Sequence, residues 1–122
     1  MFPTILFAVD SSLEARQAVP IVVGLVKAFH SRLLLLSVVD PEENDREKVE
    51  KLLDNARQLF ETEGITAETK LGEGKPAFVI CDVADELNCD LIIMGTRGVS
   101  ETRESVSQRV ITLSPCPVLV VP

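Results

Sequence analysis

Residues 4–39 read TILFAVDSSLEARQAVPIVVGLVKAFHSRLLLLSVV, and this stretch decides the fold class. The runs at residues 4–9 and 33–39 are apolar along nearly their whole length, which is typical of strands buried on both faces of a sheet. Between them, apolar residues recur every three or four positions up to Phe29, so a helix is predicted there. Two such strands joined by a helix form a right-handed parallel βαβ crossover.

The first helix has recognisable signals at its start and in its middle. Ser11-Ser12-Leu13-Glu14 offers a capping box, in which Ser11 and Glu14 satisfy backbone N–H groups of the first turn. Pro20 lies inside the helix and is expected to bend it, because proline removes one N–H donor and crowds the preceding turn.

The same alternation continues along the sequence. Further strands are predicted at residues 65–71, 91–94 and 118–121, and further helices at residues 42–63, 76–87 and 103–113. Gly64 follows the second helix as a C′ residue, and Pro76 suits the first turn of the third. The polar, alternating strand at 65–71 is expected at a sheet edge. The pattern predicts a Rossmann-like α/β fold, an open doubly wound sheet of five mostly parallel strands with helices on both faces, in one domain over residues 1–122.

Composition excludes several classes of function. A formal net charge of −7 and a pI near 4.7 argue against nucleic-acid binding, which needs a basic face. The first ten residues have no basic region and too short an apolar stretch for a signal peptide or membrane span, so a cytoplasmic location is expected. Cys81, Cys89 and Cys116 show no CxxC spacing and, with His30, form no recognisable metal site, so buried or half-buried thiols are expected.

A ligand site is predicted where two strands end. Ligands of doubly wound sheets bind beyond the carboxyl ends of the strands, where the strand order reverses. Asp10 ends the first strand and can accept hydrogen bonds from ribose or an adenine amino group, or it can cap the following helix. Gly95 and Gly98 flank a turn in which backbone N–H groups can approach a phosphate, although an ordinary strand-to-helix turn has the same pattern.

Three segments carry a resemblance to a known family. DLIIMGTRGVS at residues 90–100, SVSQRVITLSPCPVLVVP from residue 105 and ILFAVDSS near the start resemble the universal stress protein family in order and spacing. The resemblance covers nearly the whole chain. It implies a five-stranded sheet of order 3-2-1-4-5, which in many members binds ATP or another adenine nucleotide between strands one and four. It also implies a homodimer formed by antiparallel pairing of the last strands.

Residues are assigned by matching positions in the family pattern. The resemblance places the adenosine against the end of strand one and Val38, and the phosphates against the turn after strand four. The residues expected to bind the nucleotide are Ala8, Val9, Asp10, Val38, Met94, Gly95, Arg97, Gly98, Ser105 and Val106. The residues expected at the dimer edge are Val118, Leu119, Val120 and Val121.

The phosphate side departs from the family pattern. ATP-binding members show G-x2-G, nine residues, then G-[ST], whereas here five residues separate Gly98 from Glu104-Ser105. Glu104 takes the place of the second glycine. Two like charges about 4 Å apart repel by about 4 kcal/mol at an effective dielectric of 20, although Arg97 and Arg103 can offset this. The departure disfavours a triphosphate and leaves two alternatives, a weakly held AMP-type ligand, with or without magnesium, and an empty site.

Two functions from different classes stay open. The first is a non-enzymatic adenine-nucleotide sensor that acts as a dimer in a stress response. The second is a dimeric, stress-related interaction protein that binds no nucleotide. An enzyme ranks last, because no Walker motif, phosphoacceptor acid cluster or flavodoxin-type phosphate loop is present.

Overall fold

The computed structural model describes residues 1–10, 13–96 and 106–122, with the side chains of residues 13 and 14 excepted. The expected cap at Ser11 and the predicted roles of Arg97, Gly98, Glu104 and Ser105 therefore lie outside the described residues. Within the described ranges strands and helices alternate: β1 Thr4–Ala8, α1 Leu13–Phe29, β2 Arg32–Val39, α2 Arg46–Thr62, β3 Ala67–Glu73, α3 Pro76–Glu86, β4 Leu91–Gly95, α4 Val106–Leu113 and β5 Val118–Val121.

The strands form one parallel sheet in the order β3-β2-β1-β4-β5. The fold class, the strand order and the edge position of β3 are confirmed. The order reverses between β1 and β4, because the chain crosses first to β2 and β3 and then returns to the other side of β1. This reversal fixes where the carboxyl ends of two strands face a shared crevice.

The sheet is buried on both faces, as the apolar runs predict. Ile5 and Phe7 point to the face covered by α1 and α2, whereas Leu6 points to the face covered by α3 and α4. All three side chains have no exposed surface. Phe7 meets Phe60 of α2 edge to face, with ring centroids 6.1 Å apart. A strand between two helical layers needs apolar residues at every position, which explains the unbroken run.

The end of α2 corrects the predicted start of β3. The prediction began this strand at Ile65, but β3 begins at Ala67. The backbone N–H of Ile65 donates to Phe60 O at 3.0 Å, and that of Gly64 donates to Glu61 O at 2.9 Å. These two bonds, with a φ of +80° at Gly64, form a Schellman motif, as the predicted C′ role of Gly64 requires. Ile65 thus still belongs to the helix cap.

The start of α2 differs from the predicted one, and the predicted start of α4 at residue 103 lies outside the described residues. α2 begins at Arg46 instead of residue 42, because the Asp40 carboxylate accepts the N–H of Glu42 at 2.9 Å and holds the chain in a turn. α1 continues through Pro20 to Phe29, and the expected bend stays a prediction. α4 is described from Val106 onwards. In the described part of the chain no helix is long and apolar enough to cross a membrane.

Candidate functional site

The ends of β1 and β4 part at the reversal of strand order. Their paired residues run from Ile5 and Leu91 to Phe7 and Ile93. Beyond that pair, the N–H of Val9 donates to Leu36 O of β2 at 2.8 Å, whereas the N–H of Thr96 donates to Val121 O of β5 at 2.9 Å. The segments that follow β1 and β4 therefore pair with different neighbouring strands, and a crevice forms between these two segments.

This crevice gathers the predicted residues. Every residue predicted to bind the nucleotide that lies in the described ranges lines one cavity of about 20 Å³. These residues are Ala8, Val9, Asp10, Val38, Met94, Gly95 and Val106. Leu36, Pro76 and Ile80, which the prediction did not include, complete its wall. About 20 Å³ holds roughly one water molecule, so the crevice is too small for a base.

A larger groove adjoins the crevice on the α2 face. It has a volume of about 440 Å³ and shares Val9, Asp10 and Val38 with the crevice. This volume lies in the range of about 300–1,000 Å³ that is usual for small-molecule sites. Its other wall comes from β2, the connection that follows it and α2, and consists of Ser37, Glu43, Asp45, Lys48, Val49, Lys51, Leu52 and Asn55. A cleft of about 270 Å³ continues it between α1 and α2.

Asp10 stands where these spaces meet, since it lines the crevice, the groove and the cleft. Its side chain is half-buried. The strand-end position predicted this placement, but the sequence did not predict the contribution of α2. The polar residues of that helix fit an ordinary solvent-facing side, so only their proximity to the end of β2 gave a signal.

The charges of the groove are mixed. Asp10, Glu43 and Asp45 supply carboxylates, while Lys48 and Lys51 supply ammonium groups. The Oδ1 atom of Asp45 is buried and accepts no hydrogen bond within the described part of the chain. A buried acceptor without a donor is costly, so a ligand amino group or a water that reaches this atom would be stabilised there.

A buried serine holds the backbone behind the crevice. Ser37 is 2% exposed, and its hydroxyl donates to the carbonyl oxygen of Val9 at 2.8 Å. Because Val9 directly precedes Asp10, this bond fixes the chain from which the Asp10 carboxylate projects. The sequence showed Ser37 only as a polar interruption of an apolar strand.

Two glycines shape the neighbouring end of β3. A Cβ atom on Gly72 would clash with Val79 Cγ1 on α3, so glycine at this position lets the helix pack closely on the strand without displacing Val79. Gly74 has a φ of +132° and donates its N–H to Val39 O at 3.0 Å. At Gly74 the backbone itself favours glycine, whereas at Gly72 the close packing of α3 does.

Of the region after Gly95 where phosphates are predicted to bind, the structure describes Thr96 and the start of α4. The Ser107 hydroxyl donates to Thr96 O at 3.1 Å, which connects α4 to the end of β4. Among the residues that the structure describes, no group of three or more His, Cys, Asp or Glu side chains is arranged for a metal ion.

The three cysteines are free thiols, with Cys81 and Cys89 buried and Cys116 half-buried, as predicted. Burial raises the pKa of all three, and that of Cys89 reaches about 11. The crevice and the groove thus hold no readily ionised thiol among their described lining residues.

Comparison with known proteins decides the family. The model of the universal stress protein family matches residues 1–122. This chain belongs to the universal stress protein family. It is 52% identical to universal stress protein Sll1654 of Synechocystis over 136 aligned positions, which cover 100% of this chain and 87% of that protein. Because the alignment is longer than the 122 residues of this chain, parts of Sll1654 have no counterpart here.

Solved structures of other universal stress proteins share the fold. One, solved in complex with cAMP, is 24% identical, with a TM-score of 0.82 over 98% of this chain and 96% of that one. Another, from Archaeoglobus fulgidus and in complex with dAMP, is 21% identical, with a TM-score of 0.83 over 99% of this chain and 98% of that one. At these identities the likeness establishes the fold of this universal stress protein.

Proposed function

We propose that this universal stress protein binds an adenine nucleotide of the monophosphate type, without catalysing a reaction, and acts as a homodimer in a cytoplasmic stress response. One observation carries the proposal. A groove large enough for a nucleoside opens beside the strand reversal and shares Val9, Asp10 and Val38 with the crevice. No residue is assigned a catalytic role.

The adenosine half of the ligand has suitable partners. Val38 offers an apolar contact for the base, and the Asp10 carboxylate can accept hydrogen bonds from ribose hydroxyls. The buried Oδ1 atom of Asp45 lacks a donor that the exocyclic amino group of adenine would supply. Guanine carries a carbonyl oxygen in place of that amino group, so guanine bound in the same orientation would not donate to Asp45 from this position.

The negative charges in and near the groove favour a ligand with one phosphate over a ligand with three. The groove carries three carboxylates against two lysines, and Glu104 adds a negative charge in the shortened loop that follows Gly98. Each added phosphate raises the repulsion from these groups. Structures with the same fold hold cAMP and dAMP, so the fold itself accommodates adenine monophosphates.

Calorimetry tests this proposal. We expect AMP or cAMP to bind more tightly than ATP and GMP. Asp10→Ala should weaken binding at least tenfold, since a hydrogen bond to a charged group contributes about 1.5–3 kcal/mol. Asp82→Ala, which changes an exposed carboxylate on α3, is the matched control and should bind as the wild type does. Absence of binding heat with every adenine nucleotide, or equal affinities in both variants, would refute the proposal.

A second candidate function rests on the small size of the crevice. At about 20 Å³ it leaves no room for a base between β1 and β4, which favours a dimeric interaction protein that binds no nucleotide. A chain with four residues inserted between Gly98 and Glu104, and with Glu104→Gly, separates the two candidates. If the original chain binds no nucleotide and the rebuilt chain binds ATP, the second candidate is supported, and the shortened loop with Glu104 is what prevents nucleotide binding.

The two sheet edges differ in a way that supports the dimer. β3 carries Glu68, Lys70 and Glu73, and charges on an edge strand discourage pairing with another chain. β5 reads VLVV and carries no charge at the opposite edge. An uncharged edge strand can extend the sheet by pairing with a second copy of itself.

Sedimentation measurements test the edge assignment. We expect a dimer at micromolar concentration. Leu119→Glu on β5 should shift it towards monomer, while Thr69→Glu on the β3 edge, the matched control, should leave it unchanged. A wild type that stays monomeric, or a dimer that persists in folded Leu119→Glu protein, would exclude β5 as the interface.

A further inference from the structure

Two lysines of α2, Lys48 and Lys51, line the groove of about 440 Å³. They are three residues apart and therefore project from the same side of the helix. Leu52 and Asn55 continue this spacing of three and four residues and line the same groove. Both lysines thus belong to one wall of a cavity whose lining also includes Asp10.

The lysines of the groove differ from the arginines of the same helix in their partners. Both arginines of α2 form ion pairs, such as that from Arg46 to Glu73 of β3 at 3.1 Å. Within the residues that the structure describes, neither Lys48 nor Lys51 forms an ion pair or a hydrogen bond through its ammonium group. Glu47 lies four residues before Lys51, a spacing that suits an ion pair, yet in this described part of the chain none joins them. The two ammonium groups can therefore meet an anion that enters the groove.

The charge of the groove makes these lysines necessary for an anionic ligand. They are the only cationic side chains among its described lining residues, which also include the carboxylates of Asp10, Glu43 and Asp45. A phosphate monoester carries about −1.5 to −2 charges near pH 7, which two ammonium groups match. A phosphate that entered the groove without meeting the lysines would be repelled by the carboxylates.

The acceptor and the cations of this wall are separated along the helix. Asp45 directly precedes α2, and its buried Oδ1 atom has no donor in the described part of the chain. Lys48 and Lys51 come three and six residues later, about 4.5 and 9 Å further along the helix axis. A ligand whose base donates to Asp45 can therefore place its anionic group one or two turns along α2.

The sequence after β4 supplies a second reason to look for the phosphate at α2. The family pattern places the phosphates in that segment, but here it is four residues shorter than the pattern, and Glu104 stands where the second glycine belongs. The added carboxylate repels a phosphate, whereas the lysines of α2 attract it. The charges therefore favour a phosphate on the α2 side of the groove.

We propose that Lys48 and Lys51 bind the phosphate of the adenine monophosphate, so that the ligand lies along α2. This inference rests on the proposed function, because it assigns the residues that bind the phosphate of that ligand. Two ammonium groups neutralise one phosphate monoester but not the larger charge of a triphosphate, so the same pair favours AMP over ATP. Both lysines are exposed, so salt screens their attraction for the phosphate.

Calorimetry with adenosine and AMP as probes separates the phosphate contact from the rest of the site. The double variant Lys48→Gln/Lys51→Gln should weaken AMP binding about tenfold and change adenosine binding by less than about twofold. Lys48→Arg/Lys51→Arg keeps both charges and should retain most of the AMP affinity. Lys27→Gln/Lys70→Gln, the charge-matched control, changes residues outside the described lining of groove and cleft and should bind AMP as the wild type does. Added salt should reduce the preference for AMP over adenosine in the wild type.

The outcomes distinguish this inference from the proposed function. If the wild type binds no adenine nucleotide, both fail. If AMP binds equally to the wild type and to folded Lys48→Gln/Lys51→Gln protein, the inference fails and the proposed function stands. An equal loss of adenosine and AMP binding would also overturn the inference, since the lysines would then support the groove and not the phosphate. Arg16→Gln alters the adjoining cleft, and a loss of AMP affinity in this variant but not in the lysine variant would place the phosphate there instead.

Discussion

Replacing Ser37 with alanine removes one buried hydrogen bond behind the crevice. The Ser37 hydroxyl is buried and donates to Val9 O at 2.8 Å. Alanine takes this donor from a buried carbonyl group, and a buried acceptor that loses its partner costs about 1–3 kcal/mol. Only one oxygen atom is removed, so a cavity adds little. We expect Ser37→Ala to lower the free energy of unfolding by about 1–3 kcal/mol.

Urea unfolding, followed by far-UV circular dichroism, measures this loss. With a slope of about 1–3 kcal/mol per molar urea for a chain of this size, the midpoint should fall by about 1 M. The matched control is Thr112→Ala, since Thr112 donates to Gln108 O at 3.0 Å but is exposed. It should change stability by less than about 0.5 kcal/mol. A Ser37→Ala loss no larger than that of the control would refute the role given to Ser37.

Three further predictions concern the core and the thiols. Phe60→Ala should lose about 3–5 kcal/mol of unfolding free energy in the same assay, because Phe60 has no exposed surface and packs on Phe7. Gly72→Ala should lose about 1–3 kcal/mol through its clash with Val79, and Val79→Ala should partly restore stability in the double variant. Burial raises the pKa of Cys89 from 9.0 to about 11, so the unfolded chain loses this proton first. Unfolding free energy should therefore fall between about pH 9 and pH 11, more steeply in the wild type than in Cys89→Ala.

The fold was largely predictable because its signals are local. Continuous apolar runs mark strands between two helical layers, and Gly64 marks the end of α2. The boundaries that were wrong depend on hydrogen bonds that only the folded chain defines. Ile65 completes a helix cap, and the Asp40 side chain holds a turn where the helix was expected to begin.

The sequence predicted the site residues that lie at the ends of strands but missed those that lie in or near α2. Asp10 and Gly95 follow from the rule that ligands bind beyond strand ends at the reversal of strand order. Lys48 was missed because its side of α2 has an ordinary polar pattern, and Asp45 was missed because it directly precedes that helix in a charged segment. The partner of the Ser37 hydroxyl was missed because Val9 follows a different strand, β1, and neither the register nor the direction of that strand can be read from the sequence around Ser37.

The packing of the helices explains why the two sides of the strand reversal differ in volume. α3 and α4 pack against each other, and with Ile80 and Val106 they close the crevice to about 20 Å³. On the other face α1 lies over β1, β4 and β5, whereas α2 lies over β2 and β3. Their separation leaves the cleft of about 270 Å³, which adjoins the groove of about 440 Å³ beside α2. A ligand that reaches Asp10 through the groove therefore lies against the side of α2. The lysines of α2 and the unsatisfied oxygen of Asp45, which directly precedes that helix, then contribute to ligand selectivity, together with the strand ends.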